Sequence, residues 1–177
     1  MEEIFKDENF KSLKSLENSN LNFPGLYAIK VKDISIFPNQ LLEEIESQDS
    51  AIIYIGKASR SLKKRLEEEC RGKRHGTFFR GIGALMNLKP PKGSLIGKSN
   101  SNNYKFSQSD SIKIVNWMNE NLLFSHLKVE KNIDFVEQNL IKHFQPILNT
   151  THNPKKSKYL AALRKECRNV ALERYSS

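Results

Sequence analysis

Few side chains in this sequence are of a type and setting that could act on a phosphate. Tyr27 and Tyr54 sit in short apolar runs, Lys57 and Arg65 follow the second run closely, and Glu137 and Asn149 lie far downstream. Arg65 could clamp a phosphate with its bidentate fork and Lys57 as a point charge, or both could be surface residues. A tyrosine in a strand is most often a β-former whose hydroxyl finds one hydrogen bond. Glu137 sits at the margin of the apolar stripe Ile133, Val136, Leu140 and Phe144. A carboxylate there needs a partner, because burying an unpaired charge is costly. A divalent cation with its preference for oxygen ligands is one such partner. The other is local: Asp134-x-x-Glu137 matches a capping box, in which Glu137 bonds back to the helix start.

Other chemistries lack their residues. There is no glycine-rich phosphate loop, no Ser-His-Asp set and no His/Cys cluster, and His126, His143 and His152 show no ligand spacing. Cys70 and Cys167 are too few for a disulfide framework and form no Cys-x-x-Cys pair.

The elements that must position these groups follow from periodicity and breakers. Residues 1–22 read as an acidic, weakly amphipathic arm with Ile4, Phe5, Phe10, Leu13 and Leu16 as its apolar positions. After Pro24-Gly25, residues 26–31 and 51–56 are β-branched and aromatic runs short enough to be strands. Between them, 41–45 predicts a helical turn. Ser61 to Cys70 predicts a helix with Gly72 near its end, and 77–88 a glycine-interrupted helix or turn. Residues 89–106 form a polar loop of the length usually reserved for function or disorder. A helix capped by Ser109 or Asp110 runs to about Asn121, a third strand spans 122–129, a helix spans 133–145 before Pro146, and a basic helix spans 155–175. The order predicts an α+β domain with a small, mostly antiparallel sheet of about three strands flanked by helices.

The chain of 177 residues carries a net charge of +9, and no run approaches the roughly 20 apolar residues that cross a bilayer. Its N-terminus, with acids in place of the bases of a secretion signal, predicts a cytoplasmic protein that does not engage a membrane. Nine bases lie between Lys57 and Arg80 against three acids, and seven from Lys155 onward against two. Such clustering attracts polyanions, nucleic acid among them, although a charge run is also what a solvated face looks like.

Taken together, Gly25-Leu26-Tyr27 and Tyr54-Ile55-Gly56, the run from Lys57 to Leu66, Val136 to Ile141, and Pro146 to Asn149 resemble the GIY-YIG nuclease signature, in order. The resemblance covers roughly 24–70 and 133–150. It implies a nuclease domain over 23–153 with insertions at 33–50 and 76–126, preceded by the 1–22 arm and followed by a basic helix at 154–177. It implies Tyr27 as general base, Tyr54 orienting water or phosphate, Arg65 stabilising the growing negative charge, and Asn149 bracing the site. Glu137 would hold one Mg²⁺ or Mn²⁺. A phenol with a pKa of about 10 is a poor base, so Tyr27 needs its pKa lowered, with Lys57 as the candidate cation, or its proton passed on.

Two departures stand out. Arg60 competes with Arg65 for its role, and Glu69 stands one turn after Arg65 where the family often has His or Tyr, with His75 the candidate substitute. Arg60, Lys64, Lys73, Arg74, His75, Arg80, Lys155 and Lys156 are the expected nucleic-acid contacts, and Asn100, Asn102, Asn103 and Tyr104 the candidate base readers. The insertions resemble the restriction-enzyme branch, which implies duplex DNA, restriction or phage defence, and a homodimer for cutting both strands. Alternatives are a non-catalytic nucleic-acid-binding module and a structure-specific or RNA-directed nuclease.

Overall fold

A computed structural model describes residues 2–16, 19–46, 52–100 and 102–173. Ala51, where the second strand was expected to begin, residues 47–50 of the first insertion and the end of the final helix at 174–175 lie outside the described residues.

The chain enters through two 3-10 turns and a short helix α1 (Leu13–Leu16). It then runs through β1 (Gly25–Val31), α2 (Asn39–Glu46), β2 (Ile52–Ala58), α3 (Leu62–Cys70), α4 (Thr77–Leu85) and α5 (Gln108–Asn121). Last come β3 (Leu122–Lys128), α6 (Ile133–Phe144) and α7 (Lys158–Leu172). The three strands pair antiparallel in the order β2-β1-β3, so β1 is central. This is the expected α+β architecture.

Strand alternation divides the apolar side chains between two cores. Tyr27, Ile29 and Val31 join the larger one with residues of α2, α3, α4, α5 and α7, and Leu26 and Ala28 join the smaller one under α6. The β1–β2 register slips beside Ile29, where Tyr54 is paired, so Ile53 is an extra residue. Ile53 and Tyr54 consequently both enter the larger core.

Both outer strands are covered. At β3, Lys11 exchanges backbone hydrogen bonds with Phe124 at 2.9 and 2.8 Å, while Ile4 and Phe10 are buried in the smaller core. The 1–22 segment thus packs on the sheet through its described residues. At β2, Leu148 N donates to Ile53 O at 2.9 Å and Asn149 continues the pairing. A covered edge cannot recruit another strand.

Two capping expectations change. Ser107, not Ser109 or Asp110, caps α5 by accepting from Asp110 N. At α6 the N-cap is Asn132 in the left-handed region, which puts Asp134 inside the first turn rather than at the cap. Without its Asp cap the Asp134–Glu137 capping box does not form, and Glu137 turns elsewhere. The 89–106 loop is tied down: Leu95 N donates to Ala171 O, and Lys89 and Lys92 pair with Glu166 of α7 and Glu173 just beyond it. Tyr104 is 3% exposed, so it is part of the core and has no face for a base.

Candidate active site

Tyr27 and Gly56 are direct cross-strand partners. Because Gly56 has no side chain, the Tyr27 ring lies across it; an added Cβ would come within 2.9 Å of the ring's Cε1. Tyr54, one pleat along on the same face, stands with its ring centroid 6.1 Å from that of Tyr27. The helix behind them starts at the Ser61 cap, whose hydroxyl accepts from Lys64 N, and sends Leu62 and Leu66 into the core. Arg65 is carried on the same helix. Its Nε donates to the Tyr27 hydroxyl at 3.4 Å and its Nη2 meets Glu69 Oε1 at 2.6 Å. Arg60 remains exposed in the β2–α3 turn, so the position beside the phenols belongs to Arg65.

Lys57 leaves β2 on the opposite face, toward α6. Its ammonium lies 2.5 Å from Glu137 Oε2 and 2.6 Å from Asp134 Oδ1. Burial disfavours the charged amine, but hydrogen bonds and charge from the two carboxylates outweigh it and raise the Lys57 pKa. The Glu137 side chain is 13% exposed and that of Asp134 72%. The segment after α6 closes the arrangement: Asn149 accepts from Ile55 N at 2.9 Å and donates to Ile55 O at 2.8 Å, completing both outward-facing backbone groups of that residue. The two faces meet around the β2 edge, in a cleft of about 220 Å³ lined by Tyr54, Lys57, Glu137, Asn149 and His152 among others.

Tyr27 is 0% exposed and lines none of the clefts. Burial first, then the charges of Tyr54 and Glu69, raise its pKa well above the phenol norm, against Arg65. The expected lowering by Lys57 does not occur, because that ammonium is committed to the two carboxylates. Tyr54 is likewise raised, by burial and then by Glu69.

His75 does not replace the residue at position 69. Its Nδ1 accepts from Phe106 N and its Nε2 is 3.3 Å from Ser111 Oγ, while burial, then Lys105 and Arg80, bring its pKa down to about 4. It is neutral near pH 7, and both ring nitrogens are already engaged. Arg80 is buried, donating to His75 O and Asn103 Oδ1. Lys73 and Arg74 pair with Glu67 and Glu68, whereas Arg60, Lys64, Lys155 and Lys156 are exposed without a carboxylate partner among the described residues. Arg164, Lys165 and Arg168 of the basic final helix, which the sequence marks only by its overall charge, line a further cleft with Thr150; that residue also lines the Glu137 cleft.

The donor chemistry near Glu137 suits a divalent ion. Two carboxylate oxygens converge on the Lys57 ammonium, which a divalent ion held there would displace, and among the described residues no cluster of three or more His, Cys, Asp or Glu forms. One or two carboxylates, with water supplying the rest, is how Mg²⁺ is commonly held.

Residues 25–166 match the family model described as the GIY-YIG catalytic domain. No curated protein and no solved structure matches the chain. Since that match runs from the first residue of β1 into α7, over most of the sequence, the chain belongs to the GIY-YIG family and is an endonuclease, a hydrolase of phosphodiester bonds.

Proposed function

We propose that the protein is a divalent-metal-dependent endonuclease of double-stranded DNA, acting in restriction or phage defence in the cytoplasm. GIY-YIG nucleases generally depend on a divalent metal, and no helix among the described residues is long and apolar enough to cross a membrane. The observation that carries the reading is the single cleft shared by Tyr54, Lys57, Glu137 and Asn149, with Arg65 and Tyr27 directly behind.

Glu137, assisted by Asp134, is the group that would hold Mg²⁺ or Mn²⁺. An ion held there would supply Lewis-acid polarisation of the phosphate and charge stabilisation at the leaving 3′-oxygen. Arg65 is fixed between Tyr27 and Glu69 and lines a cleft with Lys57 and Glu137, so it is the guanidinium that would stabilise the negative charge growing on a phosphate bound there. Tyr54 reaches the cleft and orients the attacking water, while Tyr27, sealed in the core, positions Arg65. Lys57 contributes a cation beside the carboxylates, and Asn149 holds the β2 edge in register. Arg60 and Lys64 on one side and Arg164, Lys165 and Arg168 on the other supply the sequence-independent, salt-sensitive contacts of a nucleic-acid path. One site per chain implies a homodimer or sequential nicking for a double-strand cut.

Plasmid digestion with Mg²⁺ tests the reading. Wild-type protein is expected to nick or cut, and Glu137→Ala to bind DNA without cutting. Equal cutting by that variant refutes the assignment. Branched DNA and RNA offered in parallel distinguish a structure-specific or RNA-directed enzyme.

A further inference from the structure

In the arrangement above nothing takes the proton from the attacking water. Tyr27 is sealed in the core, and its hydroxyl, like that of Tyr54, is kept neutral chiefly by burial. A phenol that keeps its proton can orient a water but cannot deprotonate it. Lys57 is held as a charged ammonium by Asp134 and Glu137, and an ammonium is a donor only. The Asn149 amide is spent on both backbone groups of Ile55. Glu137 is the group that would hold the ion. The rest of that cleft is lined by Thr77, Ile141, Thr150, Thr151 and His152. Of these only histidine serves as a general base, and it is the side chain that does so most often.

His152 is exposed and lies in the turn between α6 and α7 that also carries Asn149. Its neighbour Asn153 is 2% exposed, donates to Pro146 O and accepts from Lys155 N, both at 2.8 Å. The turn is therefore pinned on both sides of His152, to Ile55 through Asn149 and to Pro146 through Asn153. His152 itself has a φ of 62°, in the left-handed region that residues with a Cβ seldom enter. Backbone of this kind persists only where its surroundings fix it, and here the fixed residue is one that lines the Glu137 cleft. Among the described residues its ring makes no hydrogen bond, ion pair or ring contact, in contrast to His75, whose two nitrogens are engaged. The titratable and charged groups around it are Tyr54 and Lys57 of β2 and Glu137 of α6, with Arg164, Lys165 and Arg168 of α7 beyond Thr150. Lys155 and Lys156 lie on its own turn, and α4 contributes only Thr77.

We propose that His152 is the general base that takes a proton from the attacking water. The inference deepens the nuclease reading above and rests on it. As the water O–H bond breaks, its proton passes to the unprotonated ring nitrogen of His152, and the oxygen's electron pair forms the new bond to phosphorus. The bond from phosphorus to the 3′-oxygen breaks, and that oxygen takes a proton from solvent. The imidazolium then releases its proton to water at the open side of the cleft.

His152→Asn and His152→Gly test this, because asparagine and glycine enter the left-handed region more readily than other residues and so keep the turn. The readout is the pH dependence of plasmid cleavage with Mg²⁺. An imidazole must be neutral to accept a proton, so wild-type kcat falls as pH is lowered. Each variant is expected to lower kcat at least about 100-fold and to lose that acid limb, with Tm and DNA affinity measured in Ca²⁺ unchanged. Added imidazole is expected to restore part of the rate to His152→Gly, in proportion to its neutral form. A bridging 3′-phosphorothiolate at the mapped cut site, whose sulfur leaves without a proton, is expected to show the same defect.

A folded His152→Asn that retains wild-type kcat overturns the proposal. So does a slow variant that keeps the wild-type acid limb, since His152 then only contacts substrate. A defect that disappears on the phosphorothiolate also overturns it, because the imidazole then serves the leaving oxygen. If His152→Asn shows no cooperative melting, His152→Gly decides, and a rate that imidazole does not raise overturns the idea. Wild type that cuts nothing with Mg²⁺ or Mn²⁺ overturns the nuclease reading and this inference with it, whereas a cutting wild type with an unaffected His152→Asn overturns this inference alone.

Discussion

Asn149→Ala isolates the brace from the chemistry. The side-chain amide makes two hydrogen bonds, of 2.9 and 2.8 Å, to the N–H and C=O of Ile55 on the outer edge of β2. Truncation leaves both backbone groups without a partner in a buried setting, and each such loss costs about 1–3 kcal/mol. A water entering the vacated space recovers part of this, so the net expectation is about 2–4 kcal/mol. For a chain of 177 residues this lowers Tm by roughly 5–15 °C, readable by calorimetry or circular dichroism. Ile55 lies between Tyr54 and Gly56, so a loosened edge also displaces the residue nearest the cleft. Misplacement by about 1 Å can cost about 100-fold in rate, and cleavage is expected to fall even well below the new Tm. A variant within about 2 °C of wild-type Tm, cutting at the wild-type rate, would show that the Asn149–Ile55 bonds neither hold the strand nor position the site.

Two further perturbations separate packing from binding. Gly56→Ala drives a methyl toward the enclosed Tyr27 ring; overpacking of this kind costs about 1–3 kcal/mol, so Tm and cleavage are expected to fall together, and an unchanged Tm refutes the close approach. Arg60→Ala and Lys64→Ala remove exposed cations without a carboxylate partner among the described residues. Each is expected to leave Tm unchanged, weaken DNA binding across sequences and reduce the slope of log Kd against log salt by about 1, and a slope that does not move removes that residue from the phosphate path.

The strands were legible because Leu26–Val31 and the run ending at Gly56 combine β-branched and aromatic residues with flanking glycines, and the structure uses those glycines for close approach. The end of α6 was legible from Pro146. The α5 cap was not, since Ser107 and Ser109 offer the same hydroxyl and only the extended backbone at Ser107 selects between them. Nor was the left-handed turn at Asn132, which decides whether Glu137 faces its own helix end or Lys57. The burial of Glu69 had a signal that was passed over. Leu62, Leu66, Glu69 and Cys70 recur at the spacing of one helix face and all four are buried, yet Glu67 to Glu69 reads by composition as one solvated acidic run. The nucleic-acid set was least legible, because charge in sequence says nothing about pairing: Lys73, Arg74 and Arg80 proved engaged within the protein.

The two carboxylates that flank Tyr54 are the same residue type in opposite settings, and the settings assign the work. Glu137 opens into a cleft and shares the Lys57 ammonium with Asp134, a side chain that can swing aside, which suits holding an ion or charged substrate. Glu69 is enclosed and keeps one oxygen on Arg65, which suits orienting that guanidinium and not holding a metal. A metal at Glu69 would have to displace Arg65 and shed nearly all of its water, and Mg²⁺ dehydrates reluctantly. On this reasoning Glu69, standing where a His or Tyr was expected, fixes Arg65 against Tyr27 and leaves the holding of an ion to Glu137.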